Sequence, residues 1–267
     1  MTTVRTFCHD LYIVRRTLLG KILVGLSIGT TLGSILVGFA LSNGSLTTDF
    51  LVFSMWLVVG TVLPLGALLT SAVTIAADRE SGRLRLLFGT PITKTDVFVG
   101  TLLSRLVVVT IAVVAGFALA GVTLGFLSID LTRSSFWKTA GFTLLLCIVY
   151  NSFGTTISAI CSTRLRAITA ALVFYVVSSI WPQIVKIVAG SDETRLGKPT
   201  TAETLTHFLG TLSPFGAYSQ AVTPSQAIYA ETVTGSLLAT PTMLLILLTW
   251  AVLPIPLGYW WFARTDV

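Results

Sequence analysis

The chain has 267 residues, of which 54% are hydrophobic and 10% charged, and its mean hydropathy is +0.88. A soluble domain carries roughly 25% charged residues, so most of this chain is built to dissolve in lipid. The net charge of +6 does not mark a nucleic-acid binder, because Lys and Arg punctuate the apolar stretches instead of gathering on a polar domain.

In chain order, residues 1–21 come first. No apolar segment with a small-residue cleavage site precedes Lys21, so no signal peptide is expected. Phe7, Leu11, Val14 and Leu18 recur at helical spacing among Arg15, Arg16 and Lys21. That predicts an amphipathic N-terminal helix lying in the membrane interface, which also serves as a basic anchor. Six apolar stretches follow, Ile22–Leu41, Leu51–Ala77, Leu106–Ile129, Thr139–Thr163, Ala167–Val185 and Leu237–Phe262, none containing Asp, Glu, Lys or Arg. A spanning helix needs about 20 such residues. The predicted fold is therefore an all-α integral membrane protein, with six transmembrane helices forming one bundle over residues 22–267. Gly25, Gly29 and Gly33 in span one, and Gly121 and Gly125 in span three, repeat every four residues. Small residues so spaced let helix backbones approach closely; packing inside the bundle is the expected use, a dimer contact the other. Pro64, Pro182, Pro254 and Pro256 are expected to kink spans or free carbonyls.

Orientation follows from the basic residues. Twelve of the 17 Lys and Arg flank the N-terminus, the loops after spans two and four and the C-terminal tail. That side is predicted cytoplasmic, with both termini inside. Residues 190–236 then lie outside. There Thr200-Thr201-Ala202-Glu203, Ser213-Pro214 and Thr223-Pro224-Ser225-Gln226 have helix-start chemistry, so short helices at or dipping into the outer surface are expected between spans five and six. Asn43-Gly44-Ser45 is a glycosylation sequon close to the membrane.

Several chemistries are missing. Gly190 through Gly197-Lys198-Pro199 lacks the spacing and hydroxyl of a phosphate loop. Cys8, Cys147 and Cys161 form no disulfide framework. Cys8-His9 and His207 have no spaced partners for a metal. No ionisable group lies mid-span, which speaks against a proton-coupled carrier, and no acid, base or nucleophile constellation suggests a membrane enzyme. Tyr150 and Asn151 are the most polar pair deep in a span. They are expected to bond between helices, with lining of a substrate path as the sharper reading.

A chain with no energy-converting chemistry must receive energy from a partner, and the inner loop over residues 78–99 is where one can dock. Leu84, Leu87 and Phe88 are spaced as one helical face, Glu80 can pair with Arg83, and Gly89 and Pro91 end the helix. Thr93 through Asp96 has capping-box spacing for the next helix.

The stretch Asp78-Arg79-Glu80-Ser81-Gly82-Arg83-Leu84 through Leu87, then Thr90-Pro91-Ile92-Thr93 and Gly100, resembles the loop of ABC-2 type ABC-transporter permeases, those similar to the NosY subunit in particular. Ser213-Pro214-Phe215-Gly216-Ala217-Tyr218 and the ending Phe262-Ala263-Arg264-Thr265-Asp266-Val267 extend the likeness; Arg83 stands where the family more often has Thr. The resemblance implies a permease subunit of the plasma membrane, exporting a substrate, and not itself an enzyme. The loop would be a coupling helix docking a separate ABC ATP-binding subunit, two copies per complex. Glu80, Gly82, Arg83, Leu84, Arg85, Leu87, Phe88 and Pro91 would form the docking surface. No cofactor belongs to this chain; ATP and Mg would sit on the partner. A second permease chain would complete a homo- or heterodimer. The alternatives are a membrane subunit that transmits force to an outer partner without moving a substrate, and a membrane-embedded enzyme.

Overall fold

The computed structural model describes residues 18–42, 47–89, 92–127, 134–189, 201–222 and 238–264. Among them the backbone is helical and contains no strand. The helices are α1 (Leu18–Leu41), α2 (Thr48–Ala72), α3 (Thr74–Glu80), α4 (Arg83–Phe88), α5 (Lys94–Phe126), α6 (Ser134–Ile160), α7 (Arg164–Ala189), α8 (Thr201–Thr211), α9 (Pro214–Val222), α10 (Thr240–Val252) and α11 (Pro254–Arg264). Six units are long and apolar enough to span a membrane: α1, α2 with α3, α5, α6, α7, and α10 with α11. The protein is an all-α integral membrane protein of six spans. The expected interfacial helix over residues 1–17, the sequon at Asn43 and the helix start at Thr223 lie outside the described residues.

Two spans are interrupted, each for a local reason. Side-chain hydroxyls compete with the helix ladder around Val73: Thr74 Oγ1 donates to the Ser71 carbonyl at 2.7 Å, and Ser158 Oγ of α6 takes the Ala76 amide at 3.0 Å. The chain therefore re-aims into α3. In the sixth span, Pro254 and Pro256 lack the amides a continuous helix requires. Thr156 of α6 donates to the Pro254 carbonyl at 2.9 Å, which pins the bend. Pro64 leaves the Gly60 carbonyl without its helical donor, and Tyr175 of α7 donates to the adjacent Thr61 carbonyl at 2.6 Å.

Span three starts well before its expected first residue, Leu106. α5 begins at Lys94, where Thr93 and Asp96 form the full capping box. Its 33 residues extend about 50 Å, against about 30 Å of hydrocarbon. The surplus turns stand outside the lipid on the side of α4, which accounts for Lys94, Asp96 and Arg105 within one helix.

α6 is the axis of the bundle, packed by α2, α5, α7, α9, α10 and α11. In its most apolar stretch of 18 residues 67% are buried, whereas in that of α7 only 11% are, so α7 lies at the periphery. Close approach depends on glycines other than the expected ones. A Cβ at Gly154 of α6 would stand 2.5 Å from the Leu68 carbonyl oxygen of α2, and one at Gly116 of α5 would strike Ser27 of α1. By contrast, a Cβ at Gly25, Gly29, Gly33 or Gly125 would meet nothing within 4 Å, and at Gly121 only the Phe136 ring at 3.9 Å. The four-residue stripes are thus not the packing seams of this bundle; single glycines such as Gly154 and Gly116 are.

At the end opposite α4, the α8–α9 hairpin is seated among the spans. Ser213 caps α9, its Oγ accepting from the Gly216 amide at 3.0 Å. Phe215, Ala217, Tyr218, Ala221 and Val222 are buried. Tyr218 shares a hydrogen bond of 3.1 Å with Thr143 of α6, and Trp56 of α2 donates to Ser219 at 2.6 Å. The helices expected between spans five and six are present and dip into the bundle.

Candidate docking site

The polypeptide between spans two and three forms two short helices joined by a left-handed residue. Gly82 has φ = 73°, the only positive-φ glycine among the described residues. That conformation costs an L side chain about 1–2 kcal/mol, which is why the turn between α3 and α4 carries glycine. The break resets the helical phase, so α4 is not a continuation of the α3 surface.

Three attachments hold this loop to the bundle. The first is apolar. Leu84 is fully buried, joining Ile75 of α3, Val97 and Phe98 of α5, Ala159 of α6 and Phe262 of α11, with Leu87 packed partly against them. The second is Arg79, whose guanidinium donates to the Cys161 carbonyl at 2.8 Å and the Ala159 carbonyl at 3.0 Å. These carbonyls lie at the C-terminal end of α6, where helical donors have run out. The guanidinium also lies 5.8 Å from the centroid of the Phe262 ring. The third is Glu80, which accepts from the Arg164 amide at 2.9 Å and stands 3.7 Å from the Arg164 guanidinium. One short segment therefore grips α5, α6, the α6–α7 turn and the last helix together. Next to it, Lys94 donates to the Ala263 carbonyl at 3.0 Å, and Thr95 and Tyr259 hydroxyls lie 2.9 Å apart.

This geometry corrects two expectations. Glu80 does not pair with Arg83. Arg83 faces Asp78 at 3.4 Å, because the turn at Gly82 swings it back over α3, while Glu80 is taken by α7. Leu84 is not an outward anchor: the apolar face of α4 turns to the nearest apolar surface, the bundle itself. Leu86, which the helical spacing passed over, is 78% exposed. Around it, Glu80, Ser81 and Gly89 are exposed, and Gly82 and Arg83 partly so. Arg85 and Phe88 belong to α4, but their side chains lie outside the description, as does Pro91 altogether. Arg79 carries no sequence signal for its role, since its acceptors are backbone carbonyls some 80 residues away.

Burial pushes the Cys161 thiol at the α6–α7 turn above the ordinary value, against the pull of Arg79 and Arg166; its carbonyl accepts from Arg79, and its amide donates to the Ile157 carbonyl at 2.9 Å. Among the described residues no cluster of His, Cys, Asp and Glu has metal-binding geometry.

Tyr150 and Asn151 are enclosed in the bundle core, both fully buried. The Tyr150 hydroxyl donates to Ser178 of α7 at 2.9 Å. Ser71 of α2 hydrogen-bonds the Asn151 amide oxygen, while the amide nitrogen has no partner. These bonds tie α6 to α7 and to α2 two residues before the Val73 break.

Residues 57–267 match the model of the ABC-2 family transporter proteins. The chain belongs to the ABC-2 transporter family. The matched region begins within the second span, takes in the loop between spans two and three and everything after it, and identifies the family as a whole without singling out NosY-like members. No curated protein matches the chain at significant similarity. An ABC-2 membrane subunit is a transporter component, and ABC-2 permeases generally work with ATP-binding subunits, which fits a loop held firmly from below and bare on its outer surface.

Proposed function

We propose that this chain is the membrane-spanning permease subunit of an ABC exporter and that α3 and α4 form its coupling element. The observation that carries the reading is the division of α4 into two faces. Leu84 and Leu87 fasten the helix to the bundle, while Leu86, with Arg83 and Glu80 at its edges, presents an apolar knob framed by charge. Such a patch on the face rich in Lys and Arg suits a cleft in an ATP-binding subunit that holds ATP and Mg; that face is the cytoplasmic one by the positive-inside rule. Closure of two such subunits would push α3 and α4, and the grip of Arg79, Glu80 and Leu84 would pass the displacement to α5, α6, α7 and α11 at once. Tyr150 and Asn151, sealed in the resting bundle, would come to line a path only when the α2–α6 seam opens.

Leu86→Asp tests the reading. The variant inserts in the plasma membrane in normal amount but loses copurification with the ATP-binding subunit and loses export. Undiminished copurification and export in Leu86→Asp overturn it. ATP hydrolysis by the reconstituted complex without substrate flux supports the force-transmitting alternative instead.

The second chain is proposed to pack along α1. Gly25 and Gly29 are exposed, and they share a helix face with Ile22 and Leu36, which are 55% and 71% exposed.

A further inference from the structure

Spans four and six begin side by side on the hairpin face of the molecule. α6 starts at Ser134 and α10 at Thr240, and the Lys138 ammonium donates to Thr240 Oγ1 at 3.1 Å. From this point a groove of about 420 Å³ runs between the two helices, walled by Gly141, Phe142 and Ile148 of α6 and by Leu244 and Leu248 of α10, with Trp137 at its mouth. Leu244, Leu248 and Trp137 are exposed, so the groove opens sideways toward lipid. Ile148 is ten residues beyond Lys138, about 15 Å along the helix. That is half of the roughly 30 Å hydrocarbon thickness, the depth of a single leaflet.

Among the described residues the charge at the mouth has no counter-charge: no carboxylate pairs with Lys138, and the two ion pairs present lie in the docking loop and its neighbour. Lys138 also stands in the second turn of α6, at the positive end of the helix, where an anion is favoured and a cation is not. The start of α10 has no side-chain cap, and the Thr240 hydroxyl, accepting from Lys138, retains its own proton to donate. A cation, a hydroxyl donor and an uncapped helix start therefore converge above an apolar slot one leaflet deep, with a tryptophan at the level typical of membrane interfaces. We infer that this groove binds one anionic phospholipid in the leaflet opposite the docking loop. The phosphate rests on Lys138 and Thr240, and one acyl chain lies along Gly141.

Two variants separate head from tail. Lys138→Gln keeps a polar group near Thr240 but removes the charge. Gly141→Phe places a ring in the slot that Gly141 lines, from a Cβ position that meets nothing within 4 Å. The experiment titrates the full-length protein in detergent with dioleoylphosphatidylglycerol or dioleoylphosphatidylcholine and counts retained lipid by native mass spectrometry. Circular dichroism verifies that each variant is as helical as the parent. One basic residue near an anionic lipid surface contributes an effect of about fivefold. The expected result is about fivefold preferential retention of one phosphatidylglycerol, abolished by Lys138→Gln and preserved by Lys138→Arg, with retention of either lipid reduced by Gly141→Phe. Equal retention of the two lipids by the parent protein overturns the site. Unchanged retention in helical Lys138→Gln or Gly141→Phe protein overturns it as well.

Discussion

At the scale of single residues, Arg79 does the most that composition could not announce. A guanidinium spans two carbonyls because its donors form a planar fork, which an ammonium lacks. It therefore closes the end of α6 while standing on α3. Arg79→Lys keeps the charge but reaches one carbonyl at best, and Arg79→Ala leaves both without this donor. Hydrogen bonds to a charged group contribute about 1.5–3 kcal/mol, and partial exposure puts this site toward the lower end. The expected outcome is a loop that trypsin cuts faster at Arg83 and Arg85 in membranes, in the order Ala, then Lys, then parent. Equal cleavage of all three shows that Leu84 and the Glu80–Arg164 contact hold the loop without Arg79. Leu84 and Leu86 illustrate what spacing can and cannot reveal. The pattern put Leu84 and Leu87 on one apolar face of α4, and both pack together, but a face has no address. It packs against whichever apolar surface is nearest, and for a six-residue helix lying over the bundle that surface is its own chain.

At the scale of elements, the six spans were legible because a helix that crosses lipid must be long, apolar and internally paired along its backbone. The capping box at Thr93 and the start of α9 at Ser213-Pro214 were legible because they are short-range chemistry. The early start of α5 was harder to see: Lys94, Asp96 and Arg105 end an apolar run without ending a helix, and hydropathy reports the former. The break at Val73 has no proline or glycine to mark it; it depends on Ser158 reaching across from α6. The α2–α6 seam below it is set by Gly154. There an added methyl has no space, since the Leu68 carbonyl oxygen would be 2.5 Å and the Ser71 Cβ 2.8 Å away, so the two helices must separate. Overpacking of this kind costs about 1–3 kcal/mol, and for a protein of this size each kcal/mol lowers the midpoint by about 2–4 °C. Gly154→Ala is expected to lower the thermal midpoint in detergent by several degrees. Gly125→Ala, whose Cβ enters open space, is expected to leave it within a degree or so of the parent. Equal midpoints for both variants mean that the seam is looser than its geometry.

At the scale of the whole molecule, the glycine stripe of α1 shows why an interface is harder to read than a core. Four-residue spacing says only that something comes close, and whether the neighbour belongs to the same chain is decided by how the helix is rotated in the bundle. The rotation of α1 buries Leu23, Ser27, Thr31 and Ile35 and turns Gly25 and Gly29 outward. Between helices in lipid, apolar burial gives little preference over acyl chains, so close backbone contact through small residues is what selects a partner helix. Two copies meeting along this stripe bring paired Gly29 positions near the two-fold axis. A disulfide requires Cα atoms about 4.4–6.8 Å apart, a separation that facing glycines permit and larger side chains prevent. Gly29→Cys, in a chain whose Cys8, Cys147 and Cys161 are replaced by serine, is therefore expected to form a dimer on mild oxidation of native membranes. Val176→Cys on α7, 49% exposed in the parent and on a peripheral helix without such a stripe, is expected to remain monomeric. Cross-linking at 176 and not at 29 moves the second chain to α7 and leaves the α1 stripe facing lipid. Cross-linking at 29 alone places the two bundles with α1 against α1, so that a push delivered to each α4 reaches a shared seam through α2, which packs against α1.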